Sequence, residues 1–204
     1  PNPIPIPIPI PNPNPRPKPK PKPKPSLLDP QLLAEWGDKQ RAADAAARVA
    51  LGPRRATIFM TPPRAVLEAP TYAEARACAT ALTGKSISAQ SYALRHNVLE
   101  ADGLRAEPRV FEVHPELAFR AMAGGVLLTG KRSWNGASER RDLLAEAGLE
   151  LPSALGSAGA VPVDDVLDAA AAAWSARRIA RGEAGRVPDA PGLDEHGRPV
   201  AIWF

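Results

Sequence analysis

The sequence predicts an α/β protein, and three observations lead there. Val110–Phe119 reads as an apolar strand that runs directly into a helix, because Val110, Glu112 and His114 alternate with Phe111 and Val113 and Pro115 then suits a first helical position. Ile58-Phe59-Met60 and Val200–Phe204 are two further short strand candidates. Between them lie several amphipathic segments with recognisable helix starts and stops. Helices dominate this pattern, and the strands are few.

Residues 1–25 place proline at every odd position, alternating with Asn, Ile, Arg or Lys. Half of such a segment lacks the N–H donor, and each residue before a proline is pushed toward extended backbone. Polyproline II or disorder is expected, and a domain spanning 26–204 follows. The repeat fits a stiff spacer, a ligand for a proline-recognition groove, or the translation of a short nucleotide repeat, and its strict period of two favours the last.

Asp29-Pro30 resembles an N-cap followed by a first-turn proline, with an alanine-rich helix reaching Val49 and Gly52 behind it. Thr71 and Glu74 have the spacing of a capping box for a helix that stops before Gly84. Ser88 suits the cap of the next helix, with Tyr92, Val98 and Leu99 on one side and a stop near Gly103. The helix after His114 closes at Gly124-Gly125, and Gly130–Gly136 reads as a polar loop. A helix over Ala137–Ala147 stops at Gly148, and Ser153–Ala160 is a small-residue linker. Asp164 or Asp165 then caps the longest helix, whose Leu167, Ala170, Ala171 and Trp174 form one apolar stripe ending before Gly182.

A hydrophobic content of 44% in 204 residues is enough for one domain with a core. No apolar run of about 18 residues exists, so no membrane span is expected. The lone Cys78 permits no internal disulfide and suits a reducing cytoplasm, with a small buried hydrophobe the expected role. The formal charge of +4 is local in origin. Arg16, Lys18, Lys20, Lys22 and Lys24 carry five positive charges with no acid before Asp29, leaving 21 of the 26 basic residues against all 22 acidic ones, a net of −1.

Candidate chemistry concentrates at strand and helix ends. Ligands of parallel sheets bind beyond the carboxyl ends of strands, where Glu112, His114 and Glu116 fall, although a strand glutamate can equally face water and His114 can cap the helix. Asp164, Asp165 and Asp168 stand at a helix start, where two of them can serve the N–H groups and the macrodipole. Asp168 lies deeper and is harder to explain that way; a strand Glu with helix Asp residues suits a divalent cation for phosphodiester hydrolysis. Lys131, Arg132, Arg140 and Arg141 surround Trp134, a set able to grip a phosphate and stack on a base or simply to be solvated surface. His96 and His196 have no partners at metal-ligand spacing, and no Gly-rich phosphate loop or Gly-x-Ser-x-Gly turn is present.

Thr61–Leu67, Gly84–Ser88, Phe111–Glu116, Lys131-Arg132 and Asp164–Ala169, in that order and spacing, resemble a bacterial family, domain of unknown function 429, whose members are predicted RNase H-like nucleases. The resemblance runs from about Leu33 to Phe204. It implies an RNase H-like α/β fold, with Glu112, Asp165 and Asp168 as catalytic ligands of Mg²⁺ or Mn²⁺, and it places His114, Glu116 and Asp164 in the same motifs. Lys131, Arg132 and Trp134 would contact a nucleic-acid substrate.

Family members begin with a strand bearing Val-Asp-Gly, where this chain has its proline repeat. Asp29 is either a remnant of a second acidic motif or a helix cap. The expectation is therefore an RNase H-like fold lacking its N-terminal strands, with metal-dependent hydrolysis weak or absent. The alternatives are a non-catalytic binding protein using the basic proline-rich arm and a non-nuclease phosphoesterase.

Overall fold

The computed structural model of the protein describes residues 41–104, 107–194 and 196–204. In chain order it contains α1 (Ala42–Leu51), a 3₁₀ turn (Gly52–Thr57), α2 (Arg64–Leu67), α3 (Tyr72–Thr83), α4 (Ala89–Ala93), α5 (Arg95–Asp102), α6 (Pro115–Met122), α7 (Trp134–Glu146), a second 3₁₀ turn (Gly156–Ala160), α8 (Val163–Arg181), β1 (Arg186–Val187) and β2 (Ile202–Trp203). The described residues are mostly helical, and the expected α/β, RNase H-like fold is not what they form. Their one sheet has two short antiparallel strands, with Arg186 opposite Trp203 and Val187 opposite Ile202.

The reason lies in pairing. A strand is stabilised by cross-strand neighbours, and apolar alternation alone does not supply them. The stretch before α6 is extended at His114 but meets β2 at a single parallel bridge, Val113 to Trp203, where the Trp203 N–H donates to the Glu112 carbonyl at 2.8 Å. Ile58-Phe59-Met60 forms no strand; Ile58 is buried beneath α1 instead. The closing segment, expected at an edge, has β1 on one side and Val113 on the other.

Helix ends follow local chemistry closely. Thr71 and Glu74 make the capping box of α3, and Gly84 ends that helix at φ +68°, a left-handed backbone that favours glycine. Ser88 caps α4 by accepting the Ser91 N–H, although the expected single helix breaks at Leu94 into α4 and α5. Ser133 accepts the Gly136 N–H and starts α7 at Trp134, three residues before the expected Ala137. Pro162 is the N-cap of α8, so Asp164 and Asp165 lie in its first turn and neither is the cap. Asp29 and the proline repeat lie outside the described residues.

The core has three parts. Ala118 and Phe119 of α6 pack with Leu144 of α7, Leu127, and the stripe Leu167, Ala170, Ala171 and Trp174 of α8. Full burial of a large apolar side chain such as Leu167 is worth about 1.5–3 kcal/mol. Leu117, on the opposite side of α6, packs with Ala43, Ala47 and Leu51 of α1, with Ile58 and with Ile202. A smaller cluster, Val66, Ala75, Ala79 and Tyr92, holds α2, α3 and α4 together, with Cys78 partly buried against it. α6 is thus the central element, buried on both sides.

One polar fastener runs through this core. Arg140 of α7 is fully buried, and its guanidinium donates to both carboxylate oxygens of Glu116, at 2.9 and 3.0 Å. Removing one member of such a pair strands a buried charge, a cost of about 3–5 kcal/mol, whereas apolar replacement of both is often near neutral. Urea unfolding should therefore show Glu116→Ala and Arg140→Ala each destabilised by about that amount, with Glu116→Leu/Arg140→Met recovering most of the loss. Losses that simply add in the double variant would mean the two are not coupled.

Candidate functional site

The beginnings of α6 and α8 and the loop before α7 meet at one polar seam. His114 is the N-cap of α6 and makes no side-chain capping bond; its Nε2 faces the Thr57 carbonyl at 3.4 Å, which makes Nε2 the proton-bearing nitrogen. Nδ1 is buried without a hydrogen-bond partner among the described residues. Burial holds the imidazole below its ordinary pKa, against the opposing pull of the Thr57 carbonyl, Glu116 and Asp168, while Lys131 adds to the lowering. His114 is therefore neutral near pH 7.

Lys131 is the second centre. Its ammonium bonds Asp168 Oδ2 and lies 3.8 Å from Asp164 Oδ2. Arg132 Nε donates to the same Asp164 oxygen at 3.0 Å and holds that carboxyl below the usual range. The other oxygen of Asp168, Oδ1, is buried and unpartnered among the described residues. Glycine is required nearby, because a Cβ on Gly136 would stand 2.0 Å from the Gly130 carbonyl oxygen and push the Lys131 loop off the start of α7.

Glu112 belongs to a different cluster. Its carboxylate bonds Arg41, the Arg41 guanidinium also donates to Asp44 at 2.9 Å, and Asp44 in turn accepts the Thr61 N–H at 2.7 Å. Burial raises the Asp44 pKa against the pull of Arg41 and the Thr61 N–H. For Arg41 burial works the other way, but Glu112 and Asp44 outweigh it and hold the guanidinium firmly charged.

The sequence-predicted residues thus divide. His114, Glu116, Lys131, Arg132, Asp164 and Asp168 come together; Glu112 lies with Arg41; Asp165 is exposed; and Trp134 projects into solvent at 84% exposure. The expected ligand set Glu112, Asp165 and Asp168 is not assembled, and among the described residues no group of three or more His, Cys, Asp or Glu side chains is arranged to hold a metal ion. The donor set as it stands does not fit a divalent cation, because ammonium and guanidinium groups of the chain already fill the positions beside its carboxylates. Lys131 and Arg132, expected to contact phosphate, are engaged with Asp164 and Asp168 instead.

Residues 5–192 match the model of a family described as protein of unknown function (DUF429). The chain belongs to the DUF429 family. The matched span begins inside the proline repeat and ends before the closing strand, so it is displaced from the Leu33–Phe204 span carried by the motifs. No curated protein and no solved structure matches this DUF429 chain. No described helix is long and apolar enough to cross a membrane.

Arg41, Asp44 and Arg140 were missed as parts of these clusters. Asp44 has a usable signal, a lone acid within an alanine-rich face; Arg140 reads as one of several surface cations, and its burial depends on the distant Glu116.

A pH prediction follows from His114. Its folded pKa lies below the unfolded value near 6.5, so the unfolded chain binds more protons in that window. Its contribution to stability is complete above about 6.5 and is lost as pH falls through the folded value. Thermal melts between pH 7.5 and 5 should decline less steeply for His114→Gln than for the parent chain. Parallel slopes would mean that His114 titrates normally.

Proposed function

We propose that this chain is a homologue of metal-dependent nucleases, directed at phosphodiesters in nucleic acid, whose own Mg²⁺- or Mn²⁺-dependent hydrolysis is weak or absent. Its support is the combination of the Glu-Val-His-Pro-Glu and Asp-Asp-x-x-Asp-Ala motifs with membership of DUF429. The observation that carries the loss of activity is the Lys131 ammonium seated beside Asp164 and Asp168, with Arg41 on Glu112 and Arg140 on Glu116 repeating the pattern. A metal ion would have to displace a tethered cation before it could polarise a phosphate or activate water.

In this role Trp134 offers an exposed ring for base stacking. End-labelled single- and double-stranded DNA and RNA incubated with Mn²⁺ or Mg²⁺ should remain uncut by the wild-type chain. Cleavage that Asp168→Asn abolishes would overturn the inactive half of the proposal.

A non-catalytic nucleic-acid-binding role is favoured by one separate feature, the five cations at Arg16–Lys24 with no acid before Asp29. Phosphate contacts by such an arm release counterions and make affinity fall steeply with salt. Fluorescence anisotropy on a labelled oligonucleotide should then show a salt-sensitive affinity that disappears when residues 1–25 are deleted. Binding unchanged by the deletion would remove the arm from this role.

A further inference from the structure

We propose that residues 27–36 of this chain dock in cis on the open edge beside β2 and cover Val110, Phe111 and the neighbouring Trp203 ring. The docking is independent of any catalytic reading of the polar seam.

The stretch before α6 builds that edge. In the parallel bridge between Val113 and Trp203, Glu112 and His114 turn their main-chain groups toward β2, so Phe111 and Val113 turn theirs away from it. Among the described residues none of those four N–H and C=O groups has a hydrogen-bond partner. The side chains are open as well. Val110 is 43% and Phe111 41% exposed, and the Phe111 ring meets the Trp203 ring edge-on at 5.6 Å, with the Arg186 guanidinium 5.2 Å from the centre of the Trp203 ring. An unpaired edge bordered by apolar surface is a template for another segment.

Three features name the occupant. The first is where the chain rejoins the described residues: at Arg41, whose guanidinium bonds the carboxylate of Glu112, the residue between Phe111 and Val113. Four residues separate Trp36 from Arg41. Five steps of chain reach at most about 18 Å, which holds Trp36 near this edge and gives the contact the high local concentration of a tethered partner. The second is composition. Leu27, Leu28, Leu32, Leu33 and Trp36 fall within ten residues, a density of large apolar side chains that gains by burial. The third is charge. Residues 26–38 hold Asp29, Glu35 and Asp38 and no Lys or Arg, whereas the rim of the patch carries Arg186 and Arg109, the latter 88% exposed.

The rest of the N-terminal sequence suits this edge poorly. In residues 1–25 every second residue lacks the donor that pairing needs, and Arg16, Lys18, Lys20, Lys22 and Lys24 would meet the like charges of Arg109 and Arg186.

The test uses the full chain with p-benzoylphenylalanine in place of Phe111, irradiated and mapped by mass spectrometry of its crosslinked peptides. The expected products join position 111 to residues 27–36 within a single chain. Thermal melts supply a second readout. Leu32→Asp/Leu33→Asp should lower the melting midpoint by about 5 °C. Phe111→Asp should lower it too, and the combined variant should fall no further than the more damaged of its two parents, because all three changes remove one contact. If Phe111→Asp does not fold, Val110→Asp takes its place, with the same expectation.

Crosslinks that miss residues 27–36, or no crosslink at all, overturn the proposal. So do crosslinks to residues 27–36 found only in covalent dimers, which would make a second copy the occupant. Melting losses that add in the combined variant overturn it as well.

Discussion

The buried pair between Arg140 and Glu116 is the constraint on which the remaining geometry depends. Glu116 sits in the first turn of α6, the helix buried on both sides, so fixing its carboxylate fixes where α6 begins and therefore where His114 points. The same guanidinium donates to the Gly136 carbonyl at 3.0 Å and the Thr129 carbonyl at 3.3 Å, and it lies over the Phe119 ring at 5.4 Å. One planar fork thus ties α6, α7 and the loop that carries Lys131. Lysine could not do this: an ammonium lacks a second nitrogen to reach the two carbonyls while the first holds the carboxylate, and it lacks the flat face that rests on an aromatic ring. Arg54, whose guanidinium stands 3.8 Å from Glu116, adds the first 3₁₀ turn to the same centre.

Around that pair the molecule repeats one device. Acids on one element are met by cations from another: Glu112 by Arg41, Glu116 by Arg140 and Arg54, Asp164 and Asp168 by Lys131 and Arg132. These contacts are not equal in energy. Arg132 is largely solvated, so its contact with Asp164 contributes little, while the buried Arg140 pair is costly to break from either side. Ionic contacts of this kind tolerate irregular backbone. Among the described residues these contacts, rather than a sheet's hydrogen-bond ladder, link helices and loops that are distant in sequence.

That substitution explains what the sequence disclosed and what it did not. Helix limits were legible because they are set by a few neighbouring residues: Thr71 with Glu74, Ser88, Gly84, Gly148 and Gly182 act within one turn of the backbone they control. The α8 stripe was legible for the same reason, since its period is local. Strand assignment failed at Ile58–Met60 and shrank to one bridge at Val113 because pairing depends on a partner far along the chain. Arg140 was unreadable as a core residue until α6 brought Glu116 to it. Lys131, Arg132, Asp164 and Asp168 were each singled out as functional residues, but as phosphate donors and metal ligands; that they would meet and neutralise one another is a fact of tertiary packing alone.

One part of the site was nonetheless decided by local periodicity. Relative to Leu167, and turning about 100° per residue, Trp174 and Ala171 lie within about 40° of the core direction, Asp164 at about 60°, Asp168 at about 100° and Asp165 at about 160°. The burial of α8 follows this order: Leu167 and Asp164 are buried, Asp168 is intermediate and Asp165 is exposed. The resemblance pairs Asp165 with Asp168, three residues apart. The helix instead presents Asp164 and Asp168, four residues apart, on one flank of the stripe. Asp165 faces away from the core and meets the loop only as a nearby charge felt by Arg132. The carboxylate that the packing selects is therefore the neighbour of the one that the motif points to, and it is the one to which both Lys131 and Arg132 are drawn.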